Sequence, residues 1–460
     1  MNKISFYISV LILFATGTAN ANVLLPSFFS DNMVLQRNSE VTIWGWASPF
    51  EDVTLTVGWS GEKIEIKPDS QAYWQVKLKT PEAGGPYTLN FKGYNELTIK
   101  NIMIGEVWLC SGQSNMEWSA SIGIDNSEAE IAKANYPNIR FFTAPKVAGT
   151  SPQMNVVGNW QECTPETMKY FSAVAYFFGE RLQKDLKGVP IGLINSSWGG
   201  TPAEIWMPED YIAKDPVLAE AASKLTPVAW GPTEPGRTYN TMINPFVGFK
   251  LAGAIWYQGE SNVGSNVYDK TLAGLIKSWR KAWGDDFPFY FIQIAPFNYE
   301  NDTYGGVTIR NSQRKVLNEV PKTGMVVAGD VSPTDDIHPR DKRTVGERLG
   351  NLVLKSQYGI NTGVVYGPLY KNISISKDKV TISFDYAEGL HFSTKKSELF
   401  EVAGKDGKFY PATATIKNNT VVVSSKKVKE PVTVRYAWYN TAKPDLFNGA
   451  GLPASSFLSE

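Results

Sequence analysis

The rhythm of the chain changes twice, and this limits the possible folds more than any single residue does. From about 104 to 360, buried-looking apolar runs at 102–109, 190–195, 251–257, 289–294 and 325–328 alternate with amphipathic stretches. In one such stretch Phe171, Val174, Ala175, Phe178, Leu182 and Leu186 fall on a single helical face; in another Leu272, Leu275, Ile276 and Trp279 do so. Strands alternating with helices predict an α/β fold, a doubly wound parallel sheet with helices on both faces. Residues 22–103 carry instead short alternating runs, at 41–46, 53–57 and 74–78, separated by Gly, Pro and Asp, which predicts a small β-sandwich. After about 360 the helical rhythm is lost and runs at 380–384, 420–424 and 432–436 read as strands, so 361–460 is expected to be a second all-β region.

The first residues predict export. Lys3 precedes an apolar stretch from Ile4 to Ala15 and then Ala19-Asn20-Ala21, the layout of a signal peptide cut after Ala21. That stretch is too short to span a bilayer, which takes about 20 residues, and no later stretch qualifies either. No lipobox cysteine lies near the cut, so a periplasmic or secreted protein is expected rather than a lipoprotein. Lys plus Arg and Asp plus Glu both number 45, leaving no net charge to hold nucleic acid or an anionic membrane. The sequence sets no oligomeric state. Export permits a disulfide between Cys110 and Cys163, although each also reads as a small buried apolar residue. With two cysteines and two histidines, Cys- or His-rich metal sites are excluded by counting.

In an open parallel sheet, ligands bind beyond the carboxyl ends of the strands. The strands here run into Cys110-Ser-Gly-Gln-Ser-Asn-Met116, Ser196-Ser-Trp-Gly-Gly-Thr-Pro202, Gln258-Gly-Glu-Ser-Asn262 and Asp335-Asp-Ile-His-Pro339. A serine hydrolase needs a hydroxyl, a base, an acid to orient the base, and donors for the oxyanion. Ser114 is the candidate nucleophile, with a helix-capping serine as its bland alternative. His338 is the candidate base, because His391 falls in the C-terminal β region. Asp335, three residues before His338, is placed to reach back to the imidazole, whereas Asp336 is expected to point elsewhere. Alternatively, the acidic pair caps a helix beginning near Arg340. The Ser114 amide, an amide of Gly199 or Gly200, and the Gln258 carboxamide are candidate oxyanion donors, with Glu260 in a supporting role. Trp118, Trp198 and Trp206 lie near the same edge, where aromatic rings suit sugar, though most tryptophans are expected in cores. The sequence Gly112-Gln-Ser-Asn-Met116 lacks the second glycine of an α/β-hydrolase nucleophile elbow.

These blocks resemble the SGNH/GDSL-type hydrolases, and within them the sialate O-acetylesterase-like carbohydrate acetylesterases. Gly105 through Glu117 is similar to that group's nucleophile block, Asn195 through Thr201 to its glycine-bearing block, Trp256 through Asn262 to its third, and Asp335 through His338 to its D-x-x-H block. Gln258 stands where the wider superfamily has an oxyanion-binding asparagine. Asp31 through Gln36, Arg435 through Asn440 and Gly451 through Ala454 extend the resemblance to nearly the whole mature chain. It implies cofactor-free, metal-free hydrolysis of O-acetyl esters on an acetylated carbohydrate, with 9-O-acetylated sialic acid the first substrate and acetylated xylan the close rival. A glycan-binding protein without catalysis and a metal-dependent deacetylase are the readings from other classes.

Overall fold

The computed structural model describes residues 22–300 and 302–459, so the leader expected at 1–21 lies outside the described residues. The alternating N-terminal runs form strands Val34–Gln36 (β1), Glu40–Trp46 (β2), Val53–Val57 (β3), Lys63–Ile66 (β4), Tyr73–Lys79 (β5) and Gly84–Lys92 (β6). β2 and β5 pair antiparallel as one layer, and β3 pairs with β4 and β6 as another. Val41, Ile43, Trp74 and Leu78 from the first layer share a core with Leu55, Leu89 and Phe91 from the second. Alternation of apolar and polar residues leaves one face of each layer to be buried this way.

The seventh strand, Glu96–Gly112 (β7), is 17 residues long and belongs to both halves of the molecule. Its first part pairs with β1 and β6, its second with the central sheet. The border expected between 103 and 104 therefore falls inside one strand rather than in a linker.

The remaining central strands are Tyr136–Thr143 (β8), Gln161–Cys163 (β9), Ile191–Ser197 (β10), Gly253–Tyr257 (β11), Phe289–Ile292 (β12) and Thr323–Val326 (β13). They lie in the order β13-β12-β11-β7-β10-β8-β9. Every neighbouring pair is parallel except β8 with β9, so the sheet is mixed. Successive residues of β11 point to opposite faces. Ile255 packs with Phe178, Leu182, Leu349 and Val353 from helices Ala173–Asp185 and Lys342–Tyr358. Trp256 packs with Leu272, Trp279, Ile309 and Val316 from helices Tyr268–Trp283 and Gly305–Glu319. The helix Lys342–Tyr358 is capped by Asp341, whose carboxylate accepts the Thr344 amide at 2.9 Å. Asp335 and Asp336 are therefore not needed as its cap.

Cys110 and Cys163 are both free and buried. They sit on β7 and β9, three strand spacings apart at about 4.8 Å each, well beyond the reach of a disulfide. Burial pushes the Cys163 thiol up to about 12, so it is inert at neutral pH.

The C-terminal region forms two four-stranded sheets around a core that includes Val380, Val402, Val421, Val434 and Phe457. It is fastened to the helix Gly305–Glu319 by Arg310, a buried guanidinium that donates to the carbonyls of Tyr439 at 2.6 Å and Asn440 at 3.2 Å. Among the described residues no helix is long and apolar enough to cross a membrane.

Candidate active site

The carboxyl ends of β7, β10 and β11 are level: Gly112 is in register with Ser197 on one side and Tyr257 on the other. The chain runs from β7 to the far side at β8, returns to β10, then crosses to β11, so the strand order reverses around β7. Such a point leaves a crevice at the strand ends. Gly112 turns the chain there with φ of +140°, and a Cβ in its place would lie 2.2 Å from the Tyr257 carbonyl oxygen. Only glycine fits that turn. The turn delivers Ser114 as the first residue of a short helix, Ser114–Glu117, at the crevice.

Ser114 Oγ lies 2.8 Å from His338 Nε2, although 224 residues separate them in sequence. The two residues singled out from opposite parts of the chain are thus brought into contact. For Nε2 to accept the serine proton, the neutral imidazole carries its own proton on Nδ1. Burial first, then the charge of Lys342, holds the His338 pKa below its ordinary value, while Asp336 pulls the other way. The shift favours the neutral ring, the form able to act as a base.

The acid differs from expectation. Asp335 is exposed and makes no hydrogen bond to His338 among the described residues. Asp336, expected to point away, turns back so that its Oδ1 accepts the His338 backbone amide at 2.8 Å. An aspartate two residues before an amide commonly makes this local turn, and it competes with any longer reach. What the structure assembles is a serine–histidine pair whose ring is held by other means. Trp118 stacks on the imidazole, with centroids 4.2 Å apart and planes at 20°, and its Nε1 donates to the Gly123 carbonyl at 2.8 Å.

Behind the pair lies a buried network of which the sequence had marked only Glu260, as a supporting group. Asn115 is fully buried, and its Nδ2 donates to Glu260 Oε1 at 2.7 Å and to the Ile337 carbonyl at 2.9 Å. Its Oδ1 accepts from Lys342 Nζ at 2.6 Å. One side chain beside the nucleophile thereby grips the backbone beside the base. Burial raises the Glu260 pKa and brings that of Lys342 down to about 7, so both groups are drawn toward their neutral forms. The spacing His338 to Lys342 offered a signal, but a lysine opening a helix reads as a solvated residue.

Two expected oxyanion donors are already occupied. Gln258 is fully buried; its Nε2 donates to Asn262 Oδ1 at 2.7 Å and to the Thr201 carbonyl at 3.2 Å, and its Oε1 accepts from the Tyr268 hydroxyl at 2.7 Å. It braces the β10 and β11 loops against each other instead of facing the crevice. Gly199 does sit against the nucleophile, since a Cβ added there would lie 3.2 Å from Ser114 Cβ, but its amide donates to Glu117 Oε2 at 2.7 Å. Glu117 in turn pairs with Lys146 at 2.7 Å. The amides of Ser114 and Gly200 donate to no described residue. Of the other expected edge residues, Trp206 is core and Trp198 is partly exposed beside Gly199.

A hydroxyl bonded to a largely neutral imidazole, set at the carboxyl edge of a mostly parallel sheet with unspent amides close by, defines a serine-type ester hydrolase. Comparison with known proteins specifies it further. Residues 104–355 match the model of the family described as carbohydrate esterase, sialic acid-specific acetylesterase, and the chain belongs to that family. Across 93% of its length it is 31% identical to the sialate O-acetylesterase of Homo sapiens, covering 90% of that protein. It is 30% identical to the sialate O-acetylesterase of Mus musculus, covering 92% of it. The crystal structure of a carbohydrate acetylesterase from Xanthomonas citri superposes with a TM-score of 0.86 at 35% identity, over 95% of this chain and 99% of that one. The chain is accordingly a carboxylic ester hydrolase, a carbohydrate O-acetylesterase.

Proposed function

We propose that the protein removes O-acetyl groups from sialic acid, the 9-O-acetyl ester first, with Ser114 as nucleophile and His338 as general base. The observation that carries this reading is the 2.8 Å contact between Ser114 Oγ and His338 Nε2. His338 takes the serine proton as Oγ attacks the acetyl carbonyl, and the amides of Ser114 and Gly200 receive the oxyanion. His338 then returns the proton to the leaving sugar hydroxyl. In the second half it activates a water that releases acetate from the acetyl-enzyme. Each oxyanion donor of this kind is worth about 10²–10³ in rate. The imidazolium is steadied by stacking on Trp118 and by the nearby Asp336 carboxylate, with Asp335 acting at most through space. The sialate assignment is supported by the named activity of the mammalian relatives. The chain is proposed to be exported after cleavage at Ala21 and to work in the periplasm or outside the cell.

Acetate release from 9-O-acetylated sialic acid, acetylated xylan oligomers and acetylated pectin, measured for wild type and Ser114→Ala, tests both parts. Turnover of the sialate lost in the variant is expected. Turnover of xylan alone would transfer the substrate assignment, and activity surviving in Ser114→Ala would end the mechanism.

A further inference from the structure

A cavity of about 860 Å³ opens one residue beyond Gly199, between the loops that follow β10 and β11. Gly200, Ser261 and Trp230 are among the residues that line it. Ser114 and His338 do not line it; the link to the site is Gly199, which abuts Ser114 and directly precedes Gly200 on the cavity wall. An acetyl group alone would leave nearly all of it empty, and its volume lies in the range of sites that enclose a whole ligand.

Trp230 is the feature that gives the cavity a chemistry. It is 63% exposed, more than any other of the 14 tryptophans, all of them among the described residues. An indole in water costs hydrophobic free energy unless something covers it. Yet it is held in place: its Nε1 donates to the Gly200 carbonyl and its own carbonyl accepts from Trp198 Nε1, both at 3.2 Å. Gly200 makes this possible. Its φ is +75°, and a Cβ there would lie 2.4 Å from Trp230 Nε1. Gly200, one residue beyond the glycine that abuts the nucleophile, therefore seats the exposed ring.

The charges around the cavity point to the kind of ligand. Its one lining cation, Lys224, is paired with Glu220 at 2.6 Å. The carboxylate of Glu204, also on its lining, is buried and accepts both bonds from Asn262 Nδ2, at 2.9 and 3.0 Å. Among the described residues no unpaired cation lines the space, so it suits a neutral, hydroxyl-rich ligand with an apolar ring face.

We propose that this cavity binds the neutral sugar residues to which the acetylated sugar is attached, with one pyranose ring stacked on Trp230. The proposal rests on the carbohydrate-esterase reading of Ser114 and adds to it that the enzyme takes its substrate as part of an oligosaccharide.

The test separates binding from hydrolysis. Titration of the full-length protein with lactose and with a xylo-oligosaccharide, neither acetylated, is followed by calorimetry and tryptophan fluorescence. Saturable binding is expected with at least one of them, weakened about tenfold in Trp230→Ala and kept within about twofold in Trp230→Phe, in line with the worth of one aromatic contact. No saturation with either sugar, or equal binding by Trp230→Ala and wild type, would overturn the proposal. Acetate release by Ser114→Ala, measured in parallel, reports on the esterase reading alone. A failure there with sugar binding intact would discard the chemistry and keep the cavity.

Discussion

The two histidines of this chain occupy opposite kinds of surroundings, and the contrast shows what turns an imidazole into a base. His391 lies on a two-stranded ribbon, paired with Phe447, exposed, its Nδ1 3.0 Å from the Gly389 carbonyl only two residues away. Among the described residues no hydroxyl is hydrogen-bonded to it. His338 is partly buried, stacked on Trp118, lowered in pKa by burial and by Lys342, and aimed at a serine from the far side of the sequence. One is placed by its neighbours in sequence, the other by the convergence of several strand ends and a helix start. The chemistry belongs to that convergence, since the side chain is the same in both places.

The sharpest way to break the contrast is to remove each ring. His338→Ala is expected to lower kcat by about 10⁴-fold or more, as losses of a paired nucleophile or base do. His391→Ala is expected to change kcat/KM by less than about twofold, as surface substitutions do. Comparable losses from the two variants in a p-nitrophenyl acetate assay would erase the distinction.

The buried network comes next in size. Asn115→Ala strips partners from Glu260, Lys342 and the Ile337 carbonyl together. Each buried polar group left unpaired costs about 1–3 kcal/mol, so a loss of about 2–5 kcal/mol in denaturant unfolding is expected, with kcat falling as the Ser114–His338 contact loosens. Unfolding that matches wild type would show that Asn115 is not the tie between the two.

Lys342→Met sharpens the electrostatic part. The base must be neutral, and burial with the Lys342 charge depresses the His338 pKa, so kcat/KM of the wild type should hold through the ordinary histidine range and fall only at lower pH. Taking away a positive charge makes protonation easier. The acid limb should therefore move up. A limb that stays put, or moves down, would exclude Lys342 as the cause.

The smallest effect at the site is expected from Asp335→Asn. Where an aspartate holds Nδ1, its amide costs about 10⁴ in kcat. With Asp335 exposed and unbonded to the ring, a loss below about tenfold is expected. A loss near 10⁴ would mean that Asp335 closes on the imidazole in the working enzyme.

Much of this arrangement is legible in the sequence. β11 and β12 read plainly because short continuous apolar runs bounded by Gly, Pro and Asp fit strands buried on both faces. Ser114 and His338 followed from asking what stands at strand ends. β8 was missed because Pro137, Asn138 and Arg140 interrupt its apolar pattern. Arg140 is nonetheless buried, its guanidinium donating to the Pro137 carbonyl at 2.6 Å and to Asn32 and Asn101 at about 3.4 Å. Gln258 was misplaced for a related reason: Thr201, Asn262 and Tyr268 surround its carboxamide only once the loops meet. The same holds for Lys342, whose burial depends on Asn115 and Glu260 arriving from other strand ends. Periodicity reports which face of an element is covered. It says little about which polar group a covered side chain will find.

The most direct test of the Ser114–His338 pair is covalent trapping. The protein is treated with an activated organophosphate such as paraoxon, and the adduct is located by peptide mass spectrometry. A single adduct on the Ser114 hydroxyl, formed at least about 10³-fold more slowly in His338→Ala, is the expected result. An adduct on another residue, or labelling of Ser114 at the same rate without His338, would contradict it.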